Sequence, residues 1–162
     1  MERNNNKRNG RRPPRKRFDK EFSKIDQILI DIQKQLQSSV TPVALENLTP
    51  FERKRIHSFF DRKPDFKTKT YRNGEDYVLK VFPVGNLCRL AEKRATQVME
   101  SGESFFWENL GNFERFIIHN HLKQFESVET LSVGEGDDRK LEIKPKNFGR
   151  SLKRIIKKIK LF

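Results

Sequence analysis

Cysteine is almost missing from this 162-residue chain, with Cys88 its only thiol. A disulfide framework is therefore excluded, and a reducing compartment suits such usage. Three histidines beside one cysteine offer too few ligands for a structural zinc site. No run approaches the ~18 apolar residues of a transmembrane helix. The opening Met1-Glu2-Arg3-Asn4-Asn5-Asn6-Lys7 leads into no apolar stretch of the kind that marks a secretory signal. Hydrophobic residues make up 34% of the chain and charged residues 35%, so core material is scarce. The length allows one ordinary domain or two very small ones.

The net charge is +13, and its placement is uneven. Residues 1–20 hold nine Lys/Arg against two acids, and residues 148–162 hold six Lys/Arg and no acid. The stretch between them is neutral, with twenty charges of each sign. This is the pattern of a folded body with two basic arms. In the first arm, residues 1–22, Arg11, Arg12, Arg15, Lys16 and Arg17 surround Pro13-Pro14 without apolar periodicity. Disorder is expected there, together with phosphate binding driven by counterion release. In the second arm, residues 148–162, Leu152, Ile155, Ile156 and Ile159 share a helical face. Arg150, Lys153, Arg154, Lys157 and Lys158 occupy the remainder. The pattern predicts a basic amphipathic helix that packs on the body, lies on a membrane surface or becomes ordered on RNA.

The body is internally repeated. At an offset of 62, Glu46-Asn47-Leu48-Thr49-Pro50-Phe51-Glu52-Arg53-Lys54-Arg55-Ile56-His57 aligns with Glu108-Asn109-Leu110-Gly111-Asn112-Phe113-Glu114-Arg115-Phe116-Ile117-Ile118-His119, with eight of twelve positions identical. Each copy, 23–84 and 85–147, predicts the same elements. A helix comes first, marked by Ile25, Ile28, Leu29, Ile32 and Leu36, and by Leu87, Leu90, Ala91 and Val98. A short strand follows, Val43–Leu45 or Phe105–Trp107. A second helix is predicted over Phe51–Phe60 and Phe113–Phe125, with Thr49 and Asn112 as N-caps and Glu52 completing a capping box. A hairpin closes each unit, turning at Asn73-Gly74 in the first copy and near Gly134 and Gly136 in the second. The expected class is α+β: two tandem α-β-α-β-β units, each with two helices on a three-stranded sheet and the two packed together.

Arg53 and His57 lie four apart on a predicted helix, as do Arg115 and His119, so each pair shares a face. A guanidinium suits phosphate or stacks on a base, and an imidazole donates, accepts or stacks. Most of the fourteen phenylalanines, Phe51, Phe106 and Phe113 among them, are expected to fill the cores, as is Trp107. Tyr71 is the better candidate for an exposed stacking platform.

The run Asn112–His119, with Val128-Glu129-Thr130-Leu131-Ser132-Val133-Gly134-Glu135 after it and Leu90–Ala95 before it, resembles the R3H domain. It is most similar to the R3H domain of bacterial Jag (SpoIIIJ-associated) proteins. Residues 23–84 resemble it as a divergent copy. The resemblance implies binding of single-stranded nucleic acid, RNA before DNA, and the family's Arg and His fall on Arg115 and His119, and by internal alignment on Arg53 and His57. The KH domain that usually precedes R3H in Jag proteins needs a Gly-x-x-Gly loop, and no two glycines here have that spacing.

Chemistry is unsupported by the sequence. His119 and His121 are two apart and diverge on a helix, Cys88 has no CxxC partner, and Gly134-Glu135-Gly136 lacks the third glycine of a dinucleotide fingerprint. The expectation is a cytoplasmic protein without catalysis, cofactor or metal that binds RNA, alone or within a ribonucleoprotein. The alternatives are a peripheral membrane or protein-interaction adaptor working through the C-terminal helix, and a DNA binder.

Overall fold

The structure is a computed structural model that describes residues 16–146, with side chains described from residue 24 onward. Arg11, Arg12 and Arg15, and the whole 148–162 helix with Arg150, Lys153, Arg154, Lys157 and Lys158, lie outside the described residues, as do the side chains of Lys16 and Arg17.

The element order is α1 (Lys16–Leu36), β1 (Val43–Leu45), α2 (Pro50–Phe60), β2 (Lys67–Asn73), β3 (Asp76–Phe82), α3 (Val84–Ser101), β4 (Phe105–Trp107), α4 (Asn112–Leu122), β5 (Val128–Val133), a 3-10 turn (Gly136–Asp138) and β6 (Lys140–Pro145). Two three-stranded antiparallel sheets result, ordered β1-β3-β2 and β4-β6-β5. The hairpin's second strand is central in both, so each sheet presents the hairpin's first strand at an edge. In the first half the turn is the two residues Gly74-Glu75, with Gly74 at φ 65° in the left-handed region.

Each half owns a core. Ile25, Leu29, Ile32 and Leu36 from α1 meet Ile56 and Phe60 from α2 and Leu79 and Val81 from β3. Leu87, Ala91, Ala95 and Val98 from α3 meet Ile118 and Leu122 from α4, Val128 from β5, and Leu141 and Ile143 from β6. The i, i+4, i+7 stripes that predicted α1 and α3 are the faces these cores bury.

Contacts between the halves among the described residues come from several elements. Val40 packs against the second core. Phe82, at the end of β3, meets Phe113 of α4 edge-on at 4.7 Å between centroids. Asn86, in the first turn of α3, donates its side-chain amide to the carbonyls of Leu36 (2.8 Å), Gln37 (3.2 Å) and Ser39 (2.8 Å). These carbonyls close α1 and start the loop after it, where a helix otherwise leaves acceptors unmatched.

Several expectations are corrected. Helix α1 starts at Lys16, inside the segment read as a basic arm over residues 1–22. Helix α4 ends at Leu122, three residues short of Phe125, where Lys123 closes it with a backbone N–H to His119. Asn112 is the first helical residue and Gly111 is the N-cap. Thr49 does cap α2 in a complete capping box with Glu52. Phe106 (45% exposed) and Phe51 (48% exposed) are not core residues. In the three-residue strand β4, alternation sends Phe105 and Trp107 toward the helices and leaves Phe106 outside.

Replacing Asn86 by Ala strands those carbonyls and should lower folding stability by about 1–3 kcal/mol. Denaturant titration of the full chain checks this, and an unchanged midpoint would mean that the Asn86 hydrogen bonds carry no net energy.

Candidate nucleic-acid interface

The Arg-x-x-x-His pairs do not stand out from the helices as two free side chains. Asn109 adopts φ 57° and Asn47 φ 55°, the left-handed region that asparagine tolerates, and each turns the chain just before its helix. The next carbonyl, Leu110 or Leu48, then faces back toward the helix. Arg53 donates to Leu48 O at 2.6 Å. Arg115 donates to Leu110 O, to Asn112 Oδ1 and, at 3.1 Å, to Arg139 O. Arg115 is only 9% exposed. Its charge is therefore matched by carbonyl dipoles, as a buried guanidinium requires. The arginine ties three segments together: the loop before α4, the first turn of α4 and the entry to β6.

The histidines tie helix to hairpin. His119 Nδ1 is 2.5 Å from Thr130 Oγ1 on β5. In the first half, His57 Nδ1 is 2.6 Å from Thr68 Oγ1 and His57 Nε2 is 2.9 Å from Thr70 Oγ1. Both ring nitrogens of His57 are thus occupied. Position 132, equivalent to Thr70, is Ser132, and its hydroxyl instead accepts from Arg139 Nε at 3.0 Å. His119 Nε2 consequently has no hydrogen-bond partner among the described residues.

A groove of about 340 Å³ opens beside it. Its floor is Arg115, Thr130 and Leu141, and its rim is Phe116, Leu131 and Arg139. Phe116 (58% exposed) and Leu131 (48% exposed) are large apolar side chains facing solvent. Arg139 is exposed and keeps guanidinium N–H groups beyond the one given to Ser132. Gly134 shapes this rim. At φ 91° a side chain there is strained, and a Cβ would stand 2.9 Å from Asp138 O and 3.4 Å from Arg139 Cα. The groove thus combines a donor or acceptor at His119, a cation at Arg139 and an aromatic face at Phe116, the three side-chain types that hold phosphate and unstacked bases.

The corresponding positions in the first half differ. Tyr77 stands where the second half has Arg139, and the Arg53 guanidinium lies 4.7 Å from its ring centroid. Lys54 replaces Phe116 and Lys69 replaces Leu131. Of the two motif histidines, His119 is the one that brings an unspent ring nitrogen to the groove. Arg139 and Phe116 are the groove residues that motif reasoning missed. Comparing the repeats position by position would have flagged both, since they differ in kind from Tyr77 and Lys54.

Several other titratable groups make local contacts. His121 Nε2 is 2.7 Å from Glu92 Oε1, joining α4 to α3. Burial, with Glu92 nearby, pushes the Cys88 thiol up, away from thiolate reactivity. The paired capping glutamates shift in opposite directions. The Thr49 backbone N–H, bonded at 2.8 Å, holds the Glu52 carboxyl below the ordinary glutamate value. Glu114 accepts the Gly111 N–H at 2.8 Å, but burial outweighs that bond and the charges of Lys80 and Arg115, and raises its carboxyl. No helix among the described residues is long and apolar enough to cross a membrane.

Two predictions follow from this geometry. Arg115→Ala leaves buried carbonyls unmatched and should cost about 2–3 kcal/mol of stability, seen as a lowered Tm; Arg115→Lys cannot span the same three acceptors and should recover only part. The capping glutamates should give opposite pH slopes. Above the unfolded value of Glu114 and up to its raised folded value, the folded state holds the extra proton, so stability falls as pH rises through that window. Glu52 contributes stability above its unfolded value that is lost as pH falls through its lowered folded value. Glu114→Gln should remove the first slope and Glu52→Gln the second, in denaturation followed from about pH 3 to about pH 7. Identical profiles for both variants would refute the assignment.

No curated protein gives a significant match to the chain. Residues 86–145, from the first turn of α3 to the end of β6 and including the whole groove, match the family model of the R3H domain, which is generally a domain that binds single-stranded nucleic acid.

Proposed function

We propose that this protein binds single-stranded nucleic acid, RNA in preference to DNA, through the groove beside His119, and that it does so in the cytoplasm without catalysing a reaction. The observation that carries this reading is the coincidence of the R3H match with a groove where His119 Nε2 is unspent beside Arg139 and Phe116. In this reading Arg139 contacts phosphate, His119 bonds a base or a backbone oxygen, and Phe116 stacks a base. Arg115 and Arg53 are positioning residues that hold the loops. Residues 23–84 are a second R3H-like unit, related to the unit of bacterial Jag proteins, in which the His57 nitrogens and the Arg53 face are already engaged. The basic arms supply the long-range attraction, and a ribonucleoprotein is the natural setting for such a chain.

His119→Ala and Arg139→Gln should each weaken single-stranded RNA binding about tenfold, the loss expected for one charge-assisted hydrogen bond, in fluorescence anisotropy with the folded full chain. His57→Ala should leave affinity unchanged. If the arms and groove together neutralise about eight phosphates, log K should fall against log salt with a slope of roughly −6. An affinity indifferent to salt, or equal losses at His57 and His119, would overturn the proposal.

A further inference from the structure

The groove does not end at Phe116. The Phe116 ring lies nearly parallel to that of Phe113, with centroids 6.4 Å apart and planes 18° apart. Phe113 in turn meets the first half, since the Lys69 ammonium sits 4.2 Å from its ring centroid. Lys69 belongs to β2, an edge strand of the first sheet. Lys67, Lys69 and Tyr71 alternate with Thr68 and Thr70, and Thr68 and Thr70 face α2 through His57. The three therefore share the opposite face of the sheet, and all are exposed. Lys80, paired with Lys69 across the hairpin, places its ammonium 5.4 Å from the Tyr71 ring. Glu114, which lies near Tyr71 and Lys80, is 8% exposed and bonded to the Gly111 N–H, so its carboxylate is largely withdrawn from this surface.

We propose that the first half takes part in binding through this sheet face and not through its Arg-x-x-x-His pair: a single strand leaving the His119 groove over Phe116 continues across Phe113 onto Lys67, Lys69 and Tyr71. The proposal rests on the His119 groove being a nucleic-acid site. Single strands are held where cations follow the backbone and aromatic faces accept successive bases, and here the two alternate along a connected series of ring and ammonium contacts. Edge-strand lysines also discourage pairing between sheets. That role needs neither an exposed tyrosine between them nor a contact leading into the groove. The arrangement makes the tandem a composite reader whose site crosses from one half to the other.

The test compares oligouridylates of about four and about twelve nucleotides, within the range of footprints of single-strand binders, on the folded full chain. The triple variant Lys67→Thr, Lys69→Thr, Tyr71→Thr suits an exposed strand. It should weaken the longer oligomer roughly tenfold and leave the shorter one unchanged. Tyr71→Thr alone, which alters no charge, should reproduce part of that loss. His119→Ala should weaken both lengths. A triple variant that binds the longer oligomer normally, or that loses both lengths equally, overturns the extended track. If His119→Ala does lower affinity in that case, the groove assignment survives it. If His119→Ala affects neither length, the groove reading itself fails.

Discussion

The second half depends on one buried guanidinium. Arg115 carries a full charge in a nearly dry place, and such a charge is tolerated only where oriented acceptors replace its water. Those acceptors come from three separate segments: Leu110 O, Asn112 Oδ1 and Arg139 O. Satisfying the charge therefore fixes the loop before α4, the start of α4 and the strand entry at Arg139 relative to one another. The left-handed asparagines exist in the same logic. Without the turn at Asn109, Leu110 O would not face the helix, and without Gly134 the chain could not bring Asp138 and Arg139 close to the β5 end. The groove is what remains between segments held in this way.

The two halves share that frame and differ at its rim. Both have an arginine on a leucine carbonyl and a histidine on a threonine hydroxyl. What differs is the fate of the second imidazole nitrogen. In the first half a threonine takes it, and a tyrosine lies against the arginine. In the second half the corresponding hydroxyl belongs to Ser132 and is drawn off by Arg139, leaving the nitrogen available. A substitution from Tyr to Arg across the repeat thus does two things: it adds a cation to the rim and releases an acceptor or donor at the floor. The first half keeps its structural clamp with both His57 ring nitrogens engaged, and its outward sheet surface is where exposed cations and a phenol gather.

Much of this was legible in the sequence because periodicity reports which side of an element is apolar. The α1 and α3 stripes, the two three-residue strands at Val43–Leu45 and Phe105–Trp107, and the hairpins all follow from spacing and turn residues. The direction of Arg115 did not follow. A four-residue spacing places Arg and His on one face, but whether that face meets solvent or a loop depends on a backbone turn at Asn109 that no periodicity encodes. The outward side of Phe106 is hidden from periodicity for a related reason. Three consecutive aromatics, Phe105-Phe106-Trp107, contain no polar residue to mark the outward side, so only the sheet reveals it. Arg139 lay hidden because a residue beside a turn of acids reads as an exposed charge, and its role emerges from where Arg115 anchors its carbonyl. Tyr71, picked out from its neighbours, is indeed exposed at 38%.

Charge placement separates how this protein would find a strand from how it would hold one. The excess of +13 falls in residues 1–20 and 148–162, the first of which reaches into the start of α1, and residues 21–147 are neutral. A net-neutral stretch exerts little net field beyond a Debye length of about 8 Å at physiological salt, so in the proposed mode the groove and the β2 face would act on a strand already beside them. Attraction from a distance would then come from the basic terminal segments, where phosphate contacts would be interchangeable and salt would compete with them directly. Recognition in that mode would fall to short-range features: one unspent imidazole nitrogen, one rim guanidinium, and rings that would accept a base only when it is unpaired and exposed. A duplex would satisfy the terminal segments as well as a single strand would, but it would offer the groove no free base face, so the geometry of the body, and not the charge, would distinguish the two.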